Sequence, residues 1–191
     1  MHKYSIEKVA NAIIYFLDNN IAYFGKTKLM KLMFFTDKLH LQRYGRVVFF
    51  DEYYKYERGP VAHLTLSIIN SINEVEKDDM EYYTKKFEDI LAIKNINDSN
   101  EKITSFIAKK DFNKNLFSKS ELKVFDEIIK KYALSTKEEI SDISHGLKEY
   151  SNTKFKNIIE EEAMIENEET KNYVKYWKNE HLSFDKMVLS C

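Results

Sequence analysis

Asp37 lies in the run KLMKLMFFTDKLHLQRY, residues 28 to 44, with His40 three positions on and His63 in the next segment. A carboxylate paired with an imidazole is the usual equipment of general acid–base catalysis, but neither histidine is surrounded by a second carboxylate or by metal-ligand spacing. A second chemical signal is Gly25-Lys26-Thr27, the last three letters of the loop that cradles ATP phosphates. That loop also needs a glycine five residues before its second one, and a strand that feeds a helix. Asn20 occupies the glycine's place, and the preceding run has apolar residues at Ile6, Val9, Ile13, Phe16 and Leu17, a helical period. The match is a decoy, and no specific ATP or GTP binding is expected. Gly25 is expected to end the first helix or turn the chain, and Thr27 to cap the second helix. Lys26, Lys28 and Lys31 could contact phosphates, which keeps a nucleic-acid-binding regulator among the readings. His145, just where a helix should end, suits a cation on the last turn better than a catalytic base.

The elements that must position these residues follow from the pattern. Residues 28 to 44 are apolar around most of a helical wheel, leaving Lys31, Lys38 and Gln42 as the polar stripe, so this should be the central helix of the domain. The same wheel sets Asp37 among Met30, Met33, Leu41 and Tyr44. A lone buried carboxylate would cost roughly 3–5 kcal/mol, so Asp37 must be paired, hydrogen-bonded or protonated. The reading adopted is that it accepts hydrogen bonds from backbone N–H groups, a tyrosine or Arg58 of the segment that packs on the helix; a ligand-facing role and an acid–base role are the alternatives. That segment is YGRVVFFDEYYKYERGPVAHL. Gly45 stops the helix, and the runs 47–50 and 53–56 read as a small β-hairpin turning around Asp51 and Glu52. Pro60 is placed at the first position of a third helix, roughly 61–72.

Composition bounds the rest. The chain has 191 residues, 30 basic and 31 acidic side chains, a net charge of -1, four glycines, one proline and one cysteine, the last residue. So few breakers with Leu, Ile, Lys and Glu at helical spacing predict a mainly α protein. Balanced charge supplies no field to collect nucleic acid. A terminal cysteine with no internal partner fits a reducing compartment, and no apolar run approaches the roughly 20 residues that span a bilayer, so a cytoplasmic protein without membrane contact is expected. No cofactor or metal is expected. After Lys154 the composition shifts to an acidic tract, residues 160–169, and a short amphipathic stretch from Tyr173 to Trp177.

The segment KLMKLMFFTD, then Tyr44-Gly45-Arg46, Asp51, Tyr53 and Gly59-Pro60-Val61 resemble the Panacea-domain antitoxins, a phage-associated family. Within them Lys28, Leu29, Lys31, Leu32, Phe35 and Asp37 keep the family's order and spacing. A later patch, LFSKSELKVFDEIIKKYALSTKEEISDISH, resembles its second part, a long helix, a loop and a shorter helix ending in Ser144 and His145. The departures are Val47 for a usual proline, Phe49 and Phe50 for a small polar turn pair, Arg58 for an aromatic, and Tyr150 for a tryptophan. The resemblance implies a compact helical domain over residues 1–154 with a small β-hairpin between the second and third helices; the composition shift after Lys154 sets residues 155–191 apart as a helical extension packed on or appended to it. It implies an antitoxin of a toxin–antitoxin system that neutralises a neighbouring gene's toxin by stoichiometric binding, not an enzyme; an adaptor delivering the toxin to a protease is the alternative. Phe49, Phe50, Tyr53 and Tyr54 are the candidate toxin contacts, being residue types that anchor interfaces.

Overall fold

The computed structural model describes residues 4–72, 80–98 and 101–188. The first helix, α1, spans Ile6–Asp18, with Ser5 accepting from the Lys8 amide at its start. The central helix, α2, spans Lys26–Tyr44 and ends at Gly45, whose φ of 69° is the left-handed cap that a glycine adopts without cost. Gly25 does not end α1, which stops at Asp18, but it does turn the chain, bending it as the N-cap of α2 in an extended conformation. The expectation for Thr27 fails: it lies inside the first turn, with no side chain capping the helix.

The β-hairpin is displaced by one segment. Strands β1, Tyr53–Tyr56, and β2, Gly59–Ala62, pair antiparallel around Glu57 and Arg58, with Tyr56 opposite Gly59. Residues 47–50 are not a strand. Pro60 is in β2, and helix α3 starts only at His63, running to Ser71. The other edge of β1 is also occupied. Ile159 donates to the Tyr53 carbonyl at 2.7 Å, Lys156 to the Lys55 carbonyl at 2.8 Å, and Lys55 to the Asn157 carbonyl at 3.0 Å. The chain after residue 154 thus covers an edge that would otherwise present unpaired backbone groups.

Helix α4, Glu81–Glu88, leads into a second hairpin that the sequence reading did not anticipate, β3, Leu91–Asp98, with β4, Glu101–Ala108. Helix α5, Lys119–Tyr132, and helix α6, Lys137–His145, each open with a capping box, Ser118 with Glu121 and Thr136 with Glu139. A short α7, Lys148–Asn152, a 3-10 turn at Glu161–Met164 and α8, Glu168–Val188, complete the chain. The α2 helix packs against α5, α6, β2 and the 3-10 turn, while α1 packs against α4 and β4. The fold is mainly α, as expected. Its core runs from Phe16, Leu32 and Phe34 through Phe49, Phe125 and Ile140 to Ile159, Met164 and Ile165 of the C-terminal region.

Candidate functional site

The side chains that the sequence singled out converge on one device: α2 carries its polar groups inward and uses them to fasten its neighbours. Asp37 is fully buried, as the wheel requires. Its Oδ1 accepts from the Val48 and Phe49 amides at 2.6 and 3.1 Å, and its Oδ2 accepts from the Tyr53 hydroxyl at 2.7 Å. The backbone and tyrosine donors are those expected; Arg58 is not one, being exposed at the hairpin turn. Burial pushes the Asp37 carboxyl up to about 7, against the pull of Tyr53 and the two amides. Capturing two adjacent amides is also why residues 47–50 make no strand, since their N–H groups are spent on the carboxylate.

The expected polar stripe is overturned by the lysines. Lys31 is 1% exposed and its Nζ donates to the Pro60 carbonyl at 2.7 Å, fastening α2 to β2. Burial lowers its ammonium to about 7. Lys38 is buried and pairs with Glu149 of α7 at 2.6 Å and with Glu166 at 3.3 Å. Lys28, wholly buried, donates to the carbonyls of Ala22, Ala133 and Ser135 at 2.6, 2.8 and 2.6 Å. It therefore closes both the α1–α2 connection and the exposed carbonyl end of α5, where a cation is favoured. A lysine's four-carbon stem accounts for the misreading, because it packs like an apolar chain once its head finds acceptors.

The remaining motif residues follow the same logic. Asp51 receives the Leu64 amide at 3.0 Å, the Thr65 amide at 2.8 Å and the Thr65 hydroxyl at 2.7 Å, so it caps α3 from outside the helix. Arg46 donates to Glu121 at 2.7 Å and to Ser118 at 3.2 Å. Burial opposes the charge of Glu121, but Lys8, the Ser118 amide and Arg46 outweigh it and hold the carboxyl below its usual range. Sequence reasoning missed Glu121 and Glu149 as the acceptors of Arg46 and Lys38, since both sit more than 70 residues from their partners. Leu29 and Leu32 are core residues, and Tyr44 is partly exposed beside the His40 ring.

His40 bonds through Nδ1 to the Arg46 carbonyl at 2.7 Å and through Nε2 to the Ser120 hydroxyl at 3.0 Å, and burial lowers its pKa. Neither it nor His63 touches Asp37; His63 is exposed and lies against Tyr54, with ring centroids 4.7 Å apart. His145 ends α6 and stacks on Tyr150 at 4.9 Å, and its buried Nε2 has no hydrogen-bond partner among the described residues. Among the described residues no three of His, Cys, Asp and Glu gather to hold a metal, and no helix is long and apolar enough to cross a membrane.

The candidate toxin contacts divide. Phe49 and Tyr53 are 1% and 2% exposed and belong to the core, so their reading as surface aromatics is corrected. Phe50, with a left-handed φ of 55°, and Tyr54 are half-buried and border the outer face formed with Glu52 and His63. Other aromatics stand more exposed: Tyr23 and Tyr82 singly, Phe155, and a group of three on α8, Tyr173, Tyr176 and Trp177.

A mainly α protein built around one buried helix whose polar side chains fasten several of its neighbours is the class that fold and motif define. Residues 29–151 match the model of the family described as Antitoxin SocA-like, Panacea domain, and the chain belongs to that family. No curated protein and no solved structure matches the chain.

Proposed function

We propose that this protein neutralises one cognate protein toxin by forming a direct, stoichiometric complex with it, without turning over a substrate. The match to an antitoxin family over residues 29–151 carries the reading. The polar residues of the motif agree with a scaffold role: Lys28, Lys31, Asp37 and Asp51 are each bonded to the protein's own backbone. A binding protein needs such a scaffold beneath its contact surface, because recognition by a rigid surface loses less conformational entropy. Within the matched region the surface proposed for the toxin is the outer face bearing Phe50, Tyr54 and His63, where aromatic rings stand beside the exposed Glu52.

The test is co-expression with the product of the neighbouring reading frame. Growth should be rescued in proportion to the ratio of the two proteins, and the complex should persist through gel filtration. Full rescue at a protein level far below that of an intact toxin would replace this reading with a catalytic antidote. Rescue accompanied by disappearance of the toxin, and dependent on a protease, would replace it with a delivery adaptor.

A further inference from the structure

A cavity of about 370 Å³ opens between the first turns of α2, the β1–β2 turn and α3, within the ~300–1,000 Å³ range of small-ligand sites. Its charged groups are Lys26 and Lys31 from α2 and Glu57 and Arg58 from the turn; Val61, Leu66 and Phe155 supply apolar walls. Lys26 is steadied at the rim by Asn70, whose Oδ1 accepts its Nζ at 2.9 Å. Lys31 lies almost wholly buried, and among the described residues the acceptor found for its three-proton head is the Pro60 carbonyl. The α2 N-terminus beside it has glycine as N-cap and no side-chain cap, which adds partial positive charge.

The balance of charge selects the ligand. Lys26 and Arg58 oppose Glu57, and Lys31, lowered to about 7, contributes less than a full charge at neutral pH. The net field suits one negative charge rather than two, and the walls suit an apolar body. We propose that this cavity binds a small organic carboxylate, its anion held by the Arg58 guanidinium and the Lys26 ammonium and its apolar body resting on Val61, Leu66 and Phe155. A planar guanidinium presents paired N–H donors that match the two oxygens of a carboxylate. The proposal does not depend on toxin binding.

The full-length chain, labelled with nitrogen-15, is titrated with 3-phenylpropionate, with its neutral amide 3-phenylpropanamide, and with inorganic phosphate. The acid should produce saturable shifts of the Thr27, Val61 and Leu66 amides, and the neutral amide should bind about tenfold more weakly or worse, as expected for loss of a charge-assisted hydrogen bond. Arg58→Gln and Lys26→Gln, both at solvent-accessible positions, should each weaken the acid by a similar factor while melting like the parent. Equal affinity for acid and neutral amide, shifts that map elsewhere, no saturable shift, or unchanged affinity in both variants would overturn the site. Phosphate binding at the same amides as tightly as the acid would overturn its assignment to carboxylates.

Discussion

At the scale of single residues, Asp37 sets the clearest expectation. Its carboxyl is raised from the ordinary value to about 7 in the folded protein. A folded-state pKa above the unfolded one means that the native state holds the proton more tightly between those values, so this group's contribution is fully present at acid pH and is lost as pH rises toward 7. Asp37→Asn cannot titrate. The stability of the parent relative to this variant should therefore fall between about pH 4 and pH 7, by on the order of 1–4 kcal/mol. Urea unfolding of both proteins at several pH values measures the difference; a flat difference would mean that the Tyr53 and amide donors hold the carboxyl ionised throughout. Lys28 tests the same economy from the cationic side. Lys28→Met keeps the stem but leaves the half-buried Ala22, Ala133 and Ser135 carbonyls without their shared donor, and should cost about 1–3 kcal/mol, since these acceptors lose a charged partner. The two residues also show what a sequence discloses. Asp37 was legible because a carboxylate inside an apolar arc has few places to go, and local amides were among them. Lys28 and Lys31 were not, because their burial depends on carbonyls of residues 133, 135 and 60 that only the fold brings near.

At the scale of elements, the hairpin shows how a correct inventory can be joined wrongly. Aromatic and β-branched runs flank Asp51 and Glu52 on both sides, but the first run gives its amides to Asp37 and the second pairs with the segment after the Glu57–Arg58 turn. Gly59 reveals the reason for that register. Its φ of 99° is a conformation glycine tolerates, and a Cβ there would lie 2.7 Å from Lys31 Cε and collide with the Ser144 hydroxyl. Gly59→Ala should therefore destabilise by about 2–4 kcal/mol, combining backbone strain with overpacking at the junction of α2, β2 and α6. Chemical denaturation reads this directly, and Arg58→Gln, one residue away at the exposed turn, should stay within about 0.5 kcal/mol of the parent. The long helix, loop and shorter helix of α5 and α6 were legible because their capping residues, apolar spacing and family-like order agree. The β3–β4 hairpin was passed over because its alternation is diluted by lysine and asparagine, which read equally well as helix surface.

At the scale of the whole molecule, the region beyond the family match has a structural part and a peripheral part. The match ends at residue 151, yet residues 156–159 cover the open edge of β1, and Ile159, Met164 and Ile165 fill the core beneath α2 and α7. Each such buried side chain contributes roughly 1.5–3 kcal/mol, so removing all of them takes away an amount comparable to the ~5–15 kcal/mol stability of an ordinary domain. The acidic tract is also engaged internally: Glu161 and Glu162 meet Lys178 at 3.1 and 2.9 Å, and Glu166 meets Lys38. Its glutamates are less available to attract a partner than their sequence suggests. Two truncations separate the roles. A chain ending at residue 154 should fail to fold cooperatively and should lose rescue for that reason alone. A chain ending at residue 167 keeps the β1 cover and the three core residues, and among the described residues it loses from the core Val174 of α8 together with the Tyr173 ring over Gly45. It should unfold cooperatively, at lower denaturant than the parent, and if the toxin surface lies within residues 29–151 it should still rescue growth and hold the toxin through gel filtration. Loss of binding in this folded, shorter chain would move the contact surface onto α8, where Tyr173, Tyr176 and Trp177 stand exposed.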